Sequence, residues 1–349
     1  MPSTEPHTLS AARHALSDLY QPRPARFWAE LLGNALVGWV SIALAINDVG
    51  GVAGSSIAML VAVFALHRAT TFLHELSHTN DRALPLVRLG WNVLWGLPFL
   101  LPSWLYERMH LEHHRRRIYG TTNDPEYLPL ARMSPTRIIS LGSLGIFLPV
   151  VLVLRFMVLT PLAWLFTPVR RLVDARFSTL ATNPNWVTPT PDAKLLRRMR
   201  RDEVIIFAVT WSLAIAVSVN LISLRALAVP LLVMFGAVVC NQLRALAAHR
   251  FERDGSEGDE QTMLTDCLNV EAQNPFERLL LPMGVGLHAL HHFAPAIPFH
   301  NLRRAHRRLR EALVFSDRYR EADSPGLMRT VGRLLQNAGQ AKSTTAALQ

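Results

Sequence analysis

Residues 49–78 read VGGVAGSSIAMLVAVFALHRATTFLHELSH and combine a long apolar run with two closely spaced histidines. The first part of this stretch, 49–66, has no charged residue, and its last five residues place His74 and His78 four positions apart. An uncharged run of this length approaches the roughly 20 residues that a helix needs to cross a bilayer. Two imidazoles at positions i and i+4 lie on one face of a helix. The stretch therefore predicts a membrane helix that ends in a candidate metal site.

Four long apolar runs in the 349 residues are almost free of charge, and they are 27–46, 49–66, 204–224 and 226–243. They predict an all-α, polytopic membrane protein with four transmembrane helices. Two more apolar stretches, 89–106 and 138–168, contain prolines, and the second also contains Arg155. We expect re-entrant or interfacial helices there, because proline interrupts a helix.

Both ends of the chain are polar. Residues 1–25 contain no apolar segment of the kind that a signal peptide has, so a solvated tail is expected. We expect a membrane domain over 26–309, followed by a C-terminal helix and polar tail over 310–349. The two cysteines form no C-x-x-C motif, so the sequence offers no thiolate iron centre.

The chain carries a formal charge of +10, and its arginines cluster at 115–117 and 197–201, close to apolar runs. Beside membrane spans, such clusters indicate the cytoplasmic leaflet and its anionic lipids, and we expect no nucleic-acid partner. Loop 47–54 has no Lys or Arg, and loop 220–226 has only Arg225. The positive-inside rule places these loops outside and both termini in the cytoplasm. We therefore expect a protein of the inner membrane with its termini on the cytoplasmic side.

This topology predicts that the histidines meet on the cytoplasmic side. The second and fourth runs return to that side near His74 and His249, and 288–292 follows without another apolar run. Residues 110–114 join them if 89–106 dips into the membrane and returns. The second proline-containing stretch, 138–168, must likewise cross the membrane twice or not at all, because a single crossing would place the later histidines on the opposite side. The histidine groups together predict a cytoplasmic, histidine-rich cap.

Nine of the 14 histidines form three groups and one single position. The groups are H-x-x-x-H at 74–78 and H-x-x-H-H at both 110–114 and 288–292, and His249 stands alone. One zinc takes three or four protein ligands, so nine imidazoles suit two metal ions. Imidazole binds iron, copper, zinc and nickel, so the residues leave the metal open. The candidate ligands are His74, His78, His110, His113, His114, His249, His288, His291 and His292.

Two other metal sites share parts of this pattern. HELSH at 74–78 is a literal H-E-x-x-H, the signature of a zinc metalloprotease, but that interpretation leaves seven histidines unused. Glu75 and Glu107 each precede a histidine by three positions, as in carboxylate di-iron bundles. Such bundles also need a glutamate on each of two other helices. We therefore expect these two glutamates to solvate the interface or, with Asp81, Asp124, Glu126 and Asp254, to be candidates for supporting the ligands.

The chain resembles the membrane fatty acid desaturase family at HELSH 74–78, HLEHH 110–114 and HALHH 288–292, and the resemblance covers roughly 26–309. NQLRALAAHRF at 241–251 resembles a segment that supplies an extra histidine ligand in bacterial desaturases, here His249. The resemblance implies two iron ions held by the nine histidines. It also implies O2-dependent insertion of a double bond into a fatty acyl lipid or acyl thioester. The electrons would come from an external ferredoxin, rubredoxin or cytochrome b5-type donor with its reductase.

The sequence departs from this family in one place and leaves other functions open. Ala245 stands where animal acyl-CoA desaturases have an asparagine that contributes to the site, so their acyl-CoA preference is not implied. A hydroxylase or ketolase of a fatty acid, alkane or carotenoid would use the same histidines. A non-catalytic metal-binding or transport protein is also open. Transporters carry ionisable groups within their spans, however, and the third and fourth runs have none apart from the loop residue Arg225.

Overall fold

The computed structural model describes residues 5–311 and 316–347. The α-helices in this part of the chain are α1 (Glu5–His14), α2 (Pro24–Ile46), α3 (Gly51–Ser77), α4 (Val87–Trp91), α5 (Trp104–His113), α6 (Pro135–Ile146), α7 (Leu148–Leu154), α8 (Thr160–Leu165), α9 (Thr167–Arg176), α10 (Ala193–Ser218), α11 (Arg225–Ala245), α12 (Glu260–Asp266), α13 (Pro275–Leu280), α14 (His288–Phe293), α15 (Phe299–Glu311), α16 (Ser316–Glu321) and α17 (Leu327–Ala347). Short 3-10 turns cover Ser17–Leu19, Leu130–Arg132 and Pro282–Gly284, and π turns cover Asn92–Gly96 and Arg155–Leu159. Two short strands, β1 (Asn269–Val270) and β2 (Asp323–Ser324), pair in parallel.

The prediction of an all-α, polytopic membrane protein is confirmed. Four helices of the described residues are long and apolar enough to cross a membrane, and they are Pro24–Ile46, Gly51–Ser77, Leu148–Leu165 and Arg225–Ala245. Helices α2, α3 and α11 correspond to three of the predicted spans, and α3 packs against both of the others. Their buried faces carry small residues such as Ala35, Ala62 and Ala237, which allow the helices to approach closely.

The third predicted span, 204–224, corresponds only in part to a long apolar helix. Helix α10 ends at Ser218, and its apolar half begins only after Arg201, Asp202 and Glu203. The third long apolar helix is instead Leu148–Leu165, within the stretch 138–168 that contains Arg155 and for which the sequence predicts re-entrant or interfacial helices. The helix continues there because the guanidinium of Arg155 is buried against protein, 2.5 Å from Oε1 of Glu203 and 2.9 Å from the carbonyl oxygen of Phe177. The cost of burying the charge of Arg155 in an apolar helix is thus offset by contacts with residues that are distant in sequence.

Both proline-containing stretches begin and end on the side where the histidines lie. In the first, the chain turns at Leu100, which has a φ of 58°, and folds back so that the amide of Ser103 donates to Oδ1 of Asn92 at 2.9 Å. The second leaves from Ile138, which packs in one cluster with Tyr127. It returns through α9, after which the amide of Leu180 donates to the carbonyl of Leu105 at 3.0 Å. Each stretch therefore leaves from and returns to the neighbourhood of the histidine groups, as the prediction that it does not cross the membrane once requires.

The N-terminal segment is packed, so the expectation of a solvated tail over residues 1–25 is wrong for the part whose side chains are described. Ala12, Leu16 and Leu19 are buried in one cluster with Leu290 and Phe293. These three apolar residues are spaced i, i+4 and i+7, a helical stripe that binds to the back of α14. The segment therefore supports the third histidine group from behind.

We expect the change of Glu203 to leucine to lower the free energy of unfolding by about 3–5 kcal/mol, since it leaves the buried guanidinium of Arg155 without a carboxylate partner. Glu203 is 0% exposed and contacts Arg155, Arg170 and Arg200 at 2.5, 3.1 and 3.3 Å. Chemical unfolding in detergent micelles measures the loss.

The matched control is Asp48→Asn, which removes the ion pair with Arg225 at 2.8 Å. Both of its side chains are about half exposed, so stability should change little. Equal stability of the Glu203 variant and the control would contradict a structural role for the buried pair.

Candidate metal centre

The nine candidate ligands lie at or just beyond the ends of four elements. His74 occupies the last turn of α3, and His78 caps that helix. Helix α5 ends with His110 and His113, and His114 caps it. All three histidines of the third group lie on α14. His249 follows α11 and pairs through its backbone with Cys267, in an isolated bridge. Helices from distant parts of the chain thus direct their imidazoles to one place.

The nine imidazoles form two neighbouring clusters. The first cluster is His78, His110, His114 and His291, and the second is His113, His249, His288 and His292. Within each cluster one ring nitrogen per residue lies within 4.8 Å of all the others. His74 lies beside the first cluster, where its ring centroid is 4.4 Å from that of His110 and 4.2 Å from that of His291. The structure therefore brings all nine predicted histidines together, and eight of them form two clusters of four.

The nitrogen positions fit metal ligation. Nε2 of His114 lies 3.1 Å from Nε2 of His291, and Nε2 of His288 lies 3.1 Å from Nε2 of both His249 and His292. Ligands about 2.0–2.1 Å from one metal lie roughly 3.0–3.4 Å apart, depending on the coordination geometry. His78 and His110 in the first cluster, and His74 beside it, also have buried Nε2 atoms without a hydrogen-bond partner among the described residues. Buried nitrogens without a partner are rare, and a shared metal ion accounts for them.

The histidines outside the spans are poised as neutral ligands. Burial lowers the pKa of seven of them, and these are His78, His110, His114, His249, His288, His291 and His292. His113 differs, because burial lowers its pKa but the carboxylates of Asp124, Glu126 and Asp266 together more than offset that effect and leave the pKa raised. A neutral imidazole offers a lone pair to a metal, so the low-dielectric surroundings favour the ligating form.

Asp124 orients His113. Its two carboxylate oxygens lie 3.0 and 2.9 Å from Nδ1 of His113. The same carboxylate accepts the backbone N–H groups of Gly120, Glu126 and Tyr127 at 2.8, 2.9 and 3.1 Å. Nδ1 of His113 must then carry the proton, which leaves the Nε2 lone pair directed into the second cluster.

Two further candidate ligands, His110 and His249, have polar partners on Nδ1, the ring nitrogen that faces away from the clusters. Nδ1 of His110 lies 3.0 Å from Oε1 of Glu126 and 3.0 Å from the hydroxyl of Tyr106. Burial raises the pKa of Glu126 to about 7. Nδ1 of His249 lies 2.8 Å from the hydroxyl of Tyr119, which donates to Oδ2 of Asp266 at 2.7 Å. Because the hydroxyl donates to Asp266, it accepts from Nδ1 of His249, and this relay again turns Nε2 towards the metal position.

The other carboxylates singled out in the sequence have different partners. Asp81 and Glu107 bind Arg88, Asp254 accepts from Ser256 in a local turn, and Oε1 of Glu75 accepts the backbone N–H of Phe299 at 3.0 Å. A metalloprotease would need Glu75 beside a zinc-bound water, and this carboxylate is engaged with the backbone instead.

Sequence reasoning missed Tyr106, Tyr119 and Asp266. Tyr106 could have been found, since it lies four positions before His110 on α5. Tyr119 and Asp266 carry no local signal, because they are 147 residues apart and meet only in the folded chain. Ala245, which stands in place of the asparagine, lines a cavity whose wall also includes Glu126, one of the partners of His110.

The protein is thus an all-α membrane protein with two neighbouring histidine clusters, each of which could hold a metal ion. The sequence profile of the fatty acid desaturase family matches residues 49–322, which include all nine histidines. The chain therefore belongs to the fatty acid desaturase family. It is also 34% identical, over 339 residues, to a ceramide hydroxylase of Caulobacter vibrioides (strain NA1000 / CB15N), and the match covers 95% of each chain. The chain is thus a membrane oxidoreductase of the desaturase and hydroxylase type.

Proposed function

We propose that this chain is an O2-dependent hydroxylase of a long-chain membrane lipid, and that its substrate is a ceramide or a close analogue. The observation that carries this proposal is the similarity to the ceramide hydroxylase, which extends over 95% of both chains. A match of that extent includes the helices around the site as well as the histidine groups. In the reaction one oxygen atom of O2 is inserted into a C–H bond of the lipid. The other oxygen atom is reduced to water by two electrons from the external donor and two protons.

We further propose that the metal is iron and that the nine histidines hold two ions. His74 and the first cluster would bind one, and the second cluster would bind the other. The bound iron pair supplies the activation of O2, a chemistry that side chains alone do not provide. The contribution of the protein is to hold neutral imidazoles in fixed tautomers. Asp124, Glu126 and the Tyr119–Asp266 relay carry out that task.

An apolar cavity beside His74 supports a lipid chain as substrate. A cavity of about 100 Å³ reaches His74 and Tyr106, with apolar walls that include Ala237 on α11. A second cavity of about 450 Å³ shares the wall residues Leu148 and Leu152 with it. The two cavities together offer a mostly apolar space between the metal site and the apolar helices.

The polar end of the first cavity favours a lipid that has hydrogen-bonding groups near the oxidised carbon. Arg244 and Asn241 line it, and Nε of Arg244 donates to Oδ1 of Asn241 at 3.2 Å. The amide and hydroxyl groups of a ceramide could accept from this guanidinium, whereas a plain hydrocarbon chain could not.

The double-bond insertion predicted from the sequence is the second candidate, and the family match over 49–322 favours it. Product analysis separates the two. Purified chain, iron, a reductant system and ceramide are incubated under O2 labelled with the heavy oxygen isotope. A product that gains one labelled oxygen supports the hydroxylase, whereas a product that loses two hydrogens and gains no label supports the desaturase. If free fatty acids or glycerolipids react and ceramide does not, the substrate assignment is wrong.

We place the metal site on the cytoplasmic side of the inner membrane, with both termini there. The loops that lack basic clusters meet at the opposite end of the helices, where Arg225 and Asp48 form an ion pair at 2.8 Å. This arrangement supports the orientation derived from the loop charges.

A ferredoxin, a rubredoxin or a cytochrome b5-type protein with its reductase would then deliver electrons from the cytoplasm. Turnover with each purified donor in turn would identify the carrier.

We expect the change of Ala237 to phenylalanine to lower kcat/KM about 10- to 100-fold while bound metal stays unchanged. Ala237 is 4% exposed and lines the cavity beside His74, so a benzyl group would occupy the space of the lipid chain. Initial rates and metal content are measured on the same preparation.

The control variant is Val239→Phe, which lies two positions further along α11 with a side chain 39% exposed. Its turnover should match that of the unchanged chain. Normal turnover in the Ala237 variant would show that the substrate binds elsewhere.

A further inference from the structure

Two adjoining cavities lie away from the metal centre, and none of the nine candidate ligands lines either of them. The larger has a volume of about 810 Å³ and is bounded by α3, α13 and α15. The smaller is a groove of about 620 Å³ between α2 and α3. Both are lined by Arg68, Arg278 and Pro282, so one continuous depression passes from the spans to the histidine cap.

The groove between α2 and α3 has the character of a site for hydrocarbon chains. Its walls include Val37, Leu60 and Val61, which are 50%, 57% and 39% exposed on helices long and apolar enough to cross a membrane. Side chains of this kind, exposed at that depth, face lipid rather than water. An acyl chain lying along them would therefore be in its normal solvent.

The larger cavity has the opposite character. It is lined by four arginines, Arg68, Arg278, Arg303 and Arg307, here called the arginine pocket. Glu271 is the carboxylate among its described lining residues, and it is engaged by Nε2 of His306 at 3.2 Å. Arg68 is paired with Glu30 at 2.5 Å, but the other three arginines form no ion pair with any described residue. The pocket thus carries an excess of positive charge, and guanidinium groups suit phosphate oxygens.

Helix α13 indicates the depth of the arginine pocket relative to the membrane. Phe276 and Leu279 are 52% and 48% exposed on the same short helix that carries Arg278. Exposed apolar side chains next to an arginine are typical of an element in the interface between headgroups and hydrocarbon. The arginine pocket then lies at the height of lipid phosphates, and the groove below it lies at the height of their acyl chains.

We propose that this depression binds an anionic phospholipid, with the phosphate in the arginine pocket and an acyl chain in the groove between α2 and α3. Basic pockets between membrane helices on the cytoplasmic side are known as sites for anionic headgroups. A soluble anion would explain the arginines but not the apolar groove that continues from them.

The bound lipid would also stabilise the third histidine group. Gly286 and Leu287 line the arginine pocket and directly precede His288. Phe299 lines it as well, and its backbone N–H is held by Glu75, one residue after His74. The lipid would therefore support two of the segments that carry ligands. This inference does not depend on which lipid the chain oxidises.

The test compares the full-length, metal-loaded chain in nanodiscs of phosphatidylcholine alone and of phosphatidylcholine with phosphatidylglycerol. The variant is R303Q/R307Q, and the matched control is R329Q/R333Q, an exposed arginine pair with the same spacing on α17. We expect phosphatidylglycerol to raise the midpoint of thermal unfolding for the unchanged chain and the control. In R303Q/R307Q the rise should fall to half or less, and native mass spectrometry should detect less retained phosphatidylglycerol.

Three outcomes would overturn the proposal. An equal rise in all three proteins would mean that no specific lipid site exists at these arginines. A full rise from inorganic phosphate in phosphatidylcholine discs would assign the pocket to a soluble anion. Slower turnover of R303Q/R307Q with a reduced acidic carrier, combined with an unchanged response to phosphatidylglycerol, would assign the pocket to a protein partner.

Discussion

Replacing His291 with alanine is expected to abolish turnover and to lower the bound metal while leaving membrane insertion intact. Its Nε2 lies 3.1 Å from that of His114, and its ring centroid lies 4.2 Å from that of His74. Loss of this imidazole removes one of the four candidate ligands of the first cluster. The apolar helices that direct membrane insertion are unchanged. Metal content, lipid product and recovery in the membrane fraction are measured on the same preparation.

The control for this experiment is His67→Gln. His67 is also a buried histidine, but its Nε2 lies 3.0 Å from the carbonyl oxygen of Leu280, and it belongs to neither cluster. That variant should keep its full metal content. Full turnover in the His291 variant would remove the third histidine group from the site and, with it, the proposed function.

The change of Asp124 to asparagine is expected to weaken metal binding about 10- to 100-fold. Asp124 is 0% exposed and holds the proton on Nδ1 of His113 with both oxygens. An asparagine keeps one acceptor oxygen and places an NH2 group where the second oxygen was, so His113 loses its fixed tautomer. Competition with a chelator measures the affinity. The unfolding midpoint of the metal-free protein records separately any loss from the three backbone hydrogen bonds of Asp124.

Asp254→Asn is the matched control, since the sequence made Asp124 and Asp254 equal candidates. Asp254 is exposed and accepts the backbone N–H of Ser256 at 3.0 Å in a local turn. We expect no change in metal affinity for this variant. Equal affinities of the two variants would contradict the role of Asp124 in orienting His113.

The parts of the fold that were predictable are those with a local cause. A bilayer requires each spanning segment to satisfy its own backbone hydrogen bonds, so an apolar run identifies its helix without reference to the rest of the chain. Helices α2, α3 and α11 follow from such runs. The sequence predicted the structure wrongly at two places where residues distant in the chain stabilise a segment that its own sequence does not favour. Arg155 lies inside an apolar helix because Glu203 neutralises it, and residues 12–19 are packed because α14 offers them an apolar surface.

The spacing of the histidines was enough to predict the kind of site, because i, i+3 and i+4 positions share a helix face and nine imidazoles are too many for one metal. The folded chain shows which histidines share a cluster, since candidate ligands such as His114 and His291 are 177 residues apart. It also chose Asp124 over Asp254 and introduced the Tyr119–Asp266 relay. The physical reason is that ligand sharing and proton placement depend on distances of about 3 Å between side chains. Such distances are set by how the segments that carry the histidines pack in the folded chain, and they have no counterpart in local sequence.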